Sequence, residues 1–194
     1  MSALPPDTRS RTSSALAIAL VAVLALPAAA ADSVRTEAAR LRFSVPRAWV
    51  RVPAPSDERA AQWKLPRAPG DREDGELILF FFGRGQGGSA QENLDRWQAL
   101  FVQPDGRPSR DASVVTPRTV HALRVTSLDL AGTYKPPPPS DGPLPPPRRG
   151  QRMLAAIIED DEGPWFFRAL GAQATIAQAK PGFDAMLDSV ETHP

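Results

Sequence analysis

Residues 83–88 have the sequence GRGQGG, which matches the G-x-G-x-x-G pattern of dinucleotide-binding loops. Glycines at such a turn let backbone amides approach a pyrophosphate at the N-terminus of a helix. A dinucleotide site also requires an acidic residue at the end of a second buried strand, about 20 residues further on. Asp105 lies in a Pro-Asp-Gly turn instead. We therefore interpret the stretch as a turn and expect no cofactor.

Residues 159–162 form an acidic cluster, EDDE, whose carboxylates could attract a hard cation such as calcium. Their order lacks the D-x-[DN]-x-[DN]-G pattern of a calcium loop. The cluster follows an apolar run and precedes a Gly-Pro pair, which favours a solvated hairpin tip. We expect no metal site there.

Nucleophilic catalysis needs a nucleophile beside a base, and the chain offers few candidates. It has no cysteine, which also excludes disulfides, thiolate metal sites and a lipid-modified cysteine. His121 and His193 are the two histidines, and neither stands in a metal-ligand spacing or a known serine-nucleophile motif. Ser127 and Asp129 share one face of a predicted strand, but their spacing supplies no base. The sequence therefore predicts a protein that is not an enzyme.

Aromatic side chains offer a further kind of site. The chain has four tryptophans, which could line a ligand cleft or build the core: Trp49, Trp63, Trp97 and Trp165. Large aromatic residues commonly contribute to cores, and we favour that role. A small-molecule or lipid carrier with an aromatic-lined cleft stays open as an alternative function, and an unrecognised hydrolase is another.

The N-terminal residues 1–31 have the features of a secretory signal peptide. Arg9 and Arg11 precede an apolar run over residues 15–26, Pro27 ends the run, and four alanines follow at residues 28–31. A membrane-spanning helix needs about 20 apolar residues, so an uncleaved anchor is the weaker alternative. We expect a periplasmic or secreted protein without stable membrane insertion after cleavage.

The charge balance argues against a nucleic-acid partner. The chain has 23 basic and 22 acidic residues. Cleavage of the leader removes Arg9, Arg11 and Asp7, which leaves a formally neutral chain. Nucleic-acid-binding proteins usually carry a basic excess on one face, and this chain has none.

The elements that position these residues centre on two apolar runs, residues 153–158 and 165–170. The polar residues 160–164 between them include glycine and proline, which predicts an antiparallel hairpin. Because successive residues in each run are apolar, both faces of these strands must be covered, so the strands are central. Residues 76–82 have the same character and predict a further central strand.

Shorter strands are predicted at residues 41–45, 49–52, 60–65, 114–115 and 123–130. We expect the last two to be separated near Pro117 and His121.

A helix is predicted after residue 88, because Ser89 and Glu92 form a capping box. We expect Pro104 and the next two residues to end it. Its apolar stripe has four members: Ala90, Leu94, Trp97 and Phe101.

Two helical parts are predicted at residues 172–180 and 183–190, kinked or split by Pro181 and Gly182. Residues 136–149 are rich in proline and poor in apolar side chains, which predicts an exposed loop inserted between strands.

This order of elements resembles the PsbP-like family, whose fold is an antiparallel sheet sandwiched by helices, an α/β/α arrangement of the α+β class. The resemblance is carried by residues 41–52, 76–83, 163–168 and 183–190. The same series together with residues 93–97 also resembles uncharacterised secreted bacterial proteins. The PsbP-like resemblance implies a single domain over residues 32–194. The motifs are structural and none is catalytic, and members of this fold act mainly by binding other proteins.

We therefore expect a non-enzymatic binding or accessory protein of the periplasm or cell envelope, with a protein partner. Exposed loops on a rigid scaffold are where binding residues tend to lie. The oligomeric state stays open. The candidate partner-binding surface consists of Arg84, Pro137, Pro138, Leu144, Arg148 and Arg149.

Overall fold

The computed structural model describes Met1, residues 32–161 and residues 163–192. The rest of the predicted leader, together with Glu162 and His193, lies outside the described residues. Within the described part, no helix is both long and apolar enough to cross a membrane.

The described chain contains eleven strands and three helices. The strands are β1 Ser33–Ala38, β2 Leu41–Pro46, β3 Val50–Val52, β4 Arg59–Leu65, β5 Gly75–Phe81, β6 Phe101–Val102, β7 Val114–Val120, β8 Leu123–Tyr134, β9 Arg148–Glu159, β10 Trp165–Ala172 and β11 Glu191–Thr192. The helices are α1 Ala90–Ala99, α2 Ser109–Ala112 and α3 Gln173–Asp188.

The strands form a large and a small sheet. The 8-stranded sheet has the order β3-β4-β5-β10-β9-β8-β6, with β7 also paired to β8, and the 3-stranded sheet has the order β1-β2-β11. All pairings are antiparallel. The predicted hairpin is confirmed, since β9 pairs with β10 from Ile158↔Trp165 to Gln151↔Ala172. The central position predicted for β5, β9 and β10 is confirmed as well.

Each face of the large sheet has its own apolar cluster, because side chains alternate between faces along a strand. On one face, Leu154 and Phe167 pack with the apolar stripe of α3 and with Phe43 of the small sheet. On the other, Met153 and Phe166 pack with Leu94 and Trp97 of α1. We call these the α3 face and the α1 face. Helices therefore lie on both sides of the sheet, as predicted.

Helix α1 begins at the predicted capping box. Ser89 is the N-cap, the Glu92 amide donates to its hydroxyl over 3.2 Å, and the Ser89 amide donates to the Glu92 carboxylate over 2.7 Å. These contacts satisfy two of the amides that a helix N-terminus leaves without an internal partner.

The predicted end of this helix is wrong. The helix stops at Ala99, five residues before Pro104, and Phe101 lies in strand β6, where it pairs with Tyr134. The pairing continues with the Lys135 amide, which donates to the Leu100 carbonyl over 2.7 Å. Phe101 still packs in the same cluster as Leu94 and Trp97. Pairing with β8 therefore determined the extended conformation of Phe101, although its place in the predicted apolar stripe had correctly indicated that it is buried.

Helix α3 is continuous through Pro181, so the predicted split is wrong. Proline within a helix costs roughly 3 kcal/mol. Buried side chains on both sides of it, Ile176 before and Phe183 after, pack in one cluster and offset that cost. Gly182 allows close approach here, since a Cβ atom would lie 2.7 Å from Pro46.

Strand β7 runs through Pro117, where the sequence predicted a break. β7 pairs with β8 on one side only, and proline is tolerated in edge strands because its missing amide need not face a partner. The turn to β8 is formed by His121 and Ala122, both with positive φ, 46° and 71°. β1 and β11 carry no strong apolar alternation, and neither strand was predicted from the sequence.

We expect Ser89→Ala to lower the free energy of unfolding by about 1 kcal/mol at pH 7. Hydrogen bonds from Ser89 lower the pKa of Glu92. A carboxylate with a lowered folded pKa stabilises the fold above its unfolded pKa, and that contribution is lost as the pH falls through the folded pKa. The difference between Ser89→Ala and the wild type should therefore shrink between pH 7 and pH 3 in urea unfolding.

Ser140→Ala, in the exposed proline-rich loop, is the control and should change stability at neither pH. An equal effect of Ser89→Ala at both pH values would show that its hydroxyl does not act on the ionised Glu92.

Candidate functional site

A charged cleft of about 560 Å³ opens at the end of the large sheet where β5 and β9 begin and β10 ends. We call it the charged cleft. One wall is residues 70–74, and the other is the start of β9. The floor includes Glu76 on β5 and Leu170 on β10, which are paired across the two strands.

The wall of residues 70–74 is fixed to helix α3. The Thr175 amide and hydroxyl donate to the Asp71 carboxylate over 3.0 and 2.6 Å, and the Ala68 amide donates to the Thr175 hydroxyl over 3.0 Å. The two remaining charged side chains between Asp71 and Asp74, those of Arg72 and Glu73, are exposed. The fold therefore uses Asp71, while Arg72 and Glu73 face the cleft and solvent.

The opposite wall carries the predicted arginines. The guanidinium of Arg148 lies over the ring of Tyr134 at 5.4 Å, and Arg149 lines the cleft beside it. Both are exposed. They are the first residues of β9 and do not belong to the loop, so the predicted loop boundary at residue 149 is wrong. Arg148 is strand because it pairs with Tyr134 on β8.

The irregular segment is residues 135–147, directly before this wall. Its exposure was predicted and is confirmed. Pro137 and Pro138 are exposed, and Leu144 has 66% of its surface accessible. Five of the six predicted surface residues therefore lie at this end of the sheet: Pro137, Pro138, Leu144, Arg148 and Arg149.

Arg84 lies at the opposite end of the sheet. It follows β5, whose seven residues span about 20 Å from the cleft at roughly 3.3 Å per residue. The Gly85 amide there donates to the Gly163 carbonyl over 3.4 Å, which joins the glycine turn to the β9–β10 turn. The six predicted residues therefore do not form one surface.

The glycine turn itself is shaped by packing and by the helix cap. Gly87 has a φ of 90°, and a Cβ atom there would lie 2.6 Å from the Phe166 ring. The amides of Ser89 and Glu92, which a pyrophosphate would need, already donate within the capping box. The geometry thus agrees with a structural turn.

We expect Gly87→Ala to destabilise the fold more than Gly85→Ala. Both glycines have positive φ, which costs an alanine roughly 1–2 kcal/mol. Only Gly87 adds a close contact, and overpacking of this kind costs about 1–3 kcal/mol more. Urea unfolding measures the difference, and equal effects would contradict the packing argument.

Calorimetry with NAD and ATP should show no saturable binding to the wild type or to Gly85→Ala. Micromolar binding of either nucleotide would overturn the structural interpretation of the turn.

The uncovered part of the α1 face adjoins the cleft. Helix α1 reaches as far as β10, where Trp97 contacts Phe166 with ring centroids 6.5 Å apart. Beyond it, toward β5, β4 and β3, side chains are accessible, with Phe82 exposed by 45% and Val50 by 59%. We call this the open face, and its members are Val50, Gln62, Lys64, Phe80, Phe82 and Arg168.

Arg168 is a charged residue of β10, at the border between the open face and the part that helix α1 covers. Its guanidinium lies 5.2 Å from the centroid of Phe80, and its buried Nε has no hydrogen-bond partner in the described part of the chain. Burial lowers the pKa of Arg168, and the nearby charges of Tyr134 and Glu76 partly oppose that shift. An arginine keeps its charge at neutral pH.

Glu76 is engaged elsewhere. Gln62 donates to its carboxylate over 2.7 Å, and Arg59 lies 3.5 Å from the same oxygen. Arg59 also donates to the Gln62 side-chain oxygen over 2.9 Å. The network leaves Arg168 without an ion pair to Glu76.

The other candidate groups have structural roles. The Ser127 hydroxyl donates to the Thr116 carbonyl over 3.2 Å, and Arg152 donates to both oxygens of Asp129 over 2.7 and 2.6 Å. His121 Nδ1 lies 3.0 Å from the Val190 carbonyl oxygen. Among the described residues, no group of three or more histidines or carboxylates could hold a metal ion.

The four tryptophans are all buried by 90% or more, as the core interpretation predicts. Trp49 borders a surface cavity of about 330 Å³, beside Pro46 and Gly182. The charged cleft contains no aromatic side chain. These positions do not favour a carrier with an aromatic-lined cleft.

Arg168 and the wall of residues 70–74 were not predicted as site residues. The signal for Arg168 was available, because a single arginine interrupts an apolar strand between Phe167 and Ala169. The wall gave no comparable signal, since its composition is that of an ordinary turn.

Comparison with solved structures shows the fold. The solution structure of the cyanobacterial PsbP of Synechocystis sp. PCC 6803 covers 91% of this chain and 99% of its own, with 14% identity and a TM-score of 0.52. A protein of unknown function from Pseudomonas aeruginosa covers 84% of this chain and 99% of its own, with 12% identity and a TM-score of 0.49. No family model and no curated protein matches the sequence. The chain therefore has the PsbP-like α+β fold that its sequence predicted.

Proposed function

We propose that this protein is a secreted, non-catalytic binding or accessory protein of the cell envelope. Its polypeptide partner binds at the charged cleft and the adjoining proline-rich loop. The observation that carries the proposal is a set of exposed charges that the fold does not use. Arg72, Glu73 and Arg149 line one cleft, and none of their side chains has a hydrogen bond or ion pair in the part of the chain that the structure describes.

The chemistry of the cleft favours a polypeptide over a small molecule. Small-molecule pockets are mostly apolar and enclose most of their ligand. This cleft is lined largely by charged side chains of both signs and opens to solvent. Side chains of both charges in the cleft suit a partner that carries both charges, because complementary charges accelerate encounter and exclude wrong partners.

The loop supports the same proposal. Leu144 is exposed by 66% within a segment rich in proline. Proline-rich segments can bind in aromatic-lined grooves of a partner with little loss of conformational entropy. The PsbP-like fold agrees with a binding role, although a fold does not by itself determine function.

The first part of the proposed function that can be tested is secretion. When the full chain is expressed in a host that exports it, we expect the intact mass of the exported protein to place its N-terminus between Ala29 and Asp32. A full-length product embedded in the membrane would contradict the leader.

The binding surface is tested by photo-cross-linking. A photoreactive residue at position 144 should cross-link one envelope protein, whose affinity is then measured with purified components. We expect Arg149→Glu to weaken binding at least tenfold, since reversing a contacting charge replaces attraction by repulsion. Arg84→Glu, at the opposite end of the sheet, is the matched control and should change the affinity less than twofold.

Deletion of residues 140–145 should weaken the same binding without a large fall in melting temperature. Halving a loop changes its closure entropy by only about 0.6 kcal/mol. A loss of affinity with Arg84→Glu alone would place the surface at the other end. Robust esterase, phosphatase or glycosidase turnover, abolished by one substitution, would defeat the non-catalytic role.

A further inference from the structure

The open face has a cation that the fold leaves without a counter-charge. Arg168 makes no ion pair within 4.0 Å in the described residues, and its Nε is buried without a hydrogen-bond partner. A buried donor that lacks a partner lowers stability, and most such groups in native proteins are satisfied. The two Nη nitrogens of Arg168 are not among the buried unpaired donors, so an acceptor from outside the chain can reach them.

We propose that Arg168 binds a carboxylate of a polypeptide segment that lies across the open face. This inference rests on the proposed function, because it assigns the chemistry of the partner that the protein binds. A guanidinium presents a planar fork of donors that matches a carboxylate with two parallel hydrogen bonds. The stack on Phe80 holds that fork in place.

The neighbouring charges favour an incoming anion. Glu76 accepts from Gln62 and Arg59 at one carboxylate oxygen, and it makes no ion pair within 4.0 Å with Arg168. Lys64 lies on the same face and is exposed. The remaining uncompensated charge on the open face is positive.

The apolar residues of the open face indicate a polypeptide. Phe82 stacks on Phe80 with ring centroids 6.2 Å apart and is exposed by 45%, and Val50 is exposed by 59%. Phe82 and Arg168 can thus contact an apolar side chain and a neighbouring carboxylate in one extended segment. An open face of this kind buries too little of a small ligand to bind it tightly.

The open face and the charged cleft are continuous. Arg168 pairs with Ile78. Leu170, on the floor of the cleft, pairs with Glu76, two residues further along the same two strands and on the same face of the sheet. A segment that leaves the cleft over Leu170 would reach Arg168 next. The proposed partner can therefore occupy both with one stretch of chain.

The test uses two acetylated and amidated five-residue peptides on the full protein. One has glutamate at its centre, flanked by phenylalanine and leucine, and the other has glutamine in its place. Nitrogen-15 NMR follows the Arg168 Nε–Hε signal and the amides of Phe80 and Phe82. We expect saturable shifts with the glutamate peptide and an affinity at least tenfold lower with the glutamine peptide, as hydrogen bonds between charged groups imply.

Two variants assign the preference to the guanidinium. Arg168→Met keeps an apolar stem of similar length and should remove the preference for glutamate. Arg168→Lys keeps the charge without the fork and should retain part of it. The comparison of the two peptides uses the wild-type protein, so it stands even if a variant does not fold.

Equal affinity for both peptides, or no saturable shift with either, would overturn the proposal. So would a stronger response to inorganic phosphate than to the glutamate peptide. If neither peptide binds at Arg168 but a cross-linked partner binds with an affinity that depends on Arg149, the proposed function stands and only the inference about Arg168 is wrong. Peptide binding at Arg168 without any partner cross-linked at position 144 would overturn only the proposed function.

Discussion

The structure depends on one constraint, the need to cover both faces of β5, β10 and β9. Buried residues succeed one another along these strands, from Met153 to Ile158 on β9 for example. Exposure of either face would leave several large apolar side chains in water, at roughly 1.5–3 kcal/mol for each. The arrangement of the other elements follows from how they cover these two faces.

The two faces are covered unequally. On the α3 face, a helix of 16 residues and a 3-stranded sheet together cover the apolar side chains. On the α1 face, the main helix has 10 residues, so it is about 15 Å long and roughly 10 Å wide. The seven strands in line from β3 to β6 span about 29 Å at roughly 4.8 Å spacing. One short helix cannot cover that width, and the open face is the result.

Much of the fold could be predicted because local and tertiary preferences agree. The central strands follow from apolar runs too continuous for a surface strand, and the start of α1 follows from Ser89 and Glu92. The errors arose where tertiary contacts overrode local rules. Phe101 became strand because β8 offered it a partner, and Pro181 stayed helical because buried side chains on both sides hold the helix to the core.

The site was less predictable than the fold. Exposure of the proline-rich loop follows from composition, and Arg148 and Arg149 follow from their place beside it. Sequence proximity to a loop says nothing about which end of a sheet a residue occupies, so Arg84 was grouped with residues that lie about 20 Å away along β5. The wall of residues 70–74 became part of a cleft only because Thr175 on α3 binds Asp71 from more than a hundred positions away.

Arg168 is involved both in covering the apolar residues of the α1 face and in the binding that we propose. Its cross-strand neighbour Ile78 is fully buried although it lies on the open face. Arginine stems cover apolar surface while their charged ends stay accessible. Side chains therefore shield Ile78 from water here, as helix α1 shields the residues of β9, and they belong to Arg168, Phe80, Gln62 and Glu76. A helix would have covered the face and closed it to partners. A layer of side chains covers the same apolar surface and keeps the guanidinium of Arg168 at its outer side, so the residue that limits exposure of the core is also the one that we propose to bind a carboxylate.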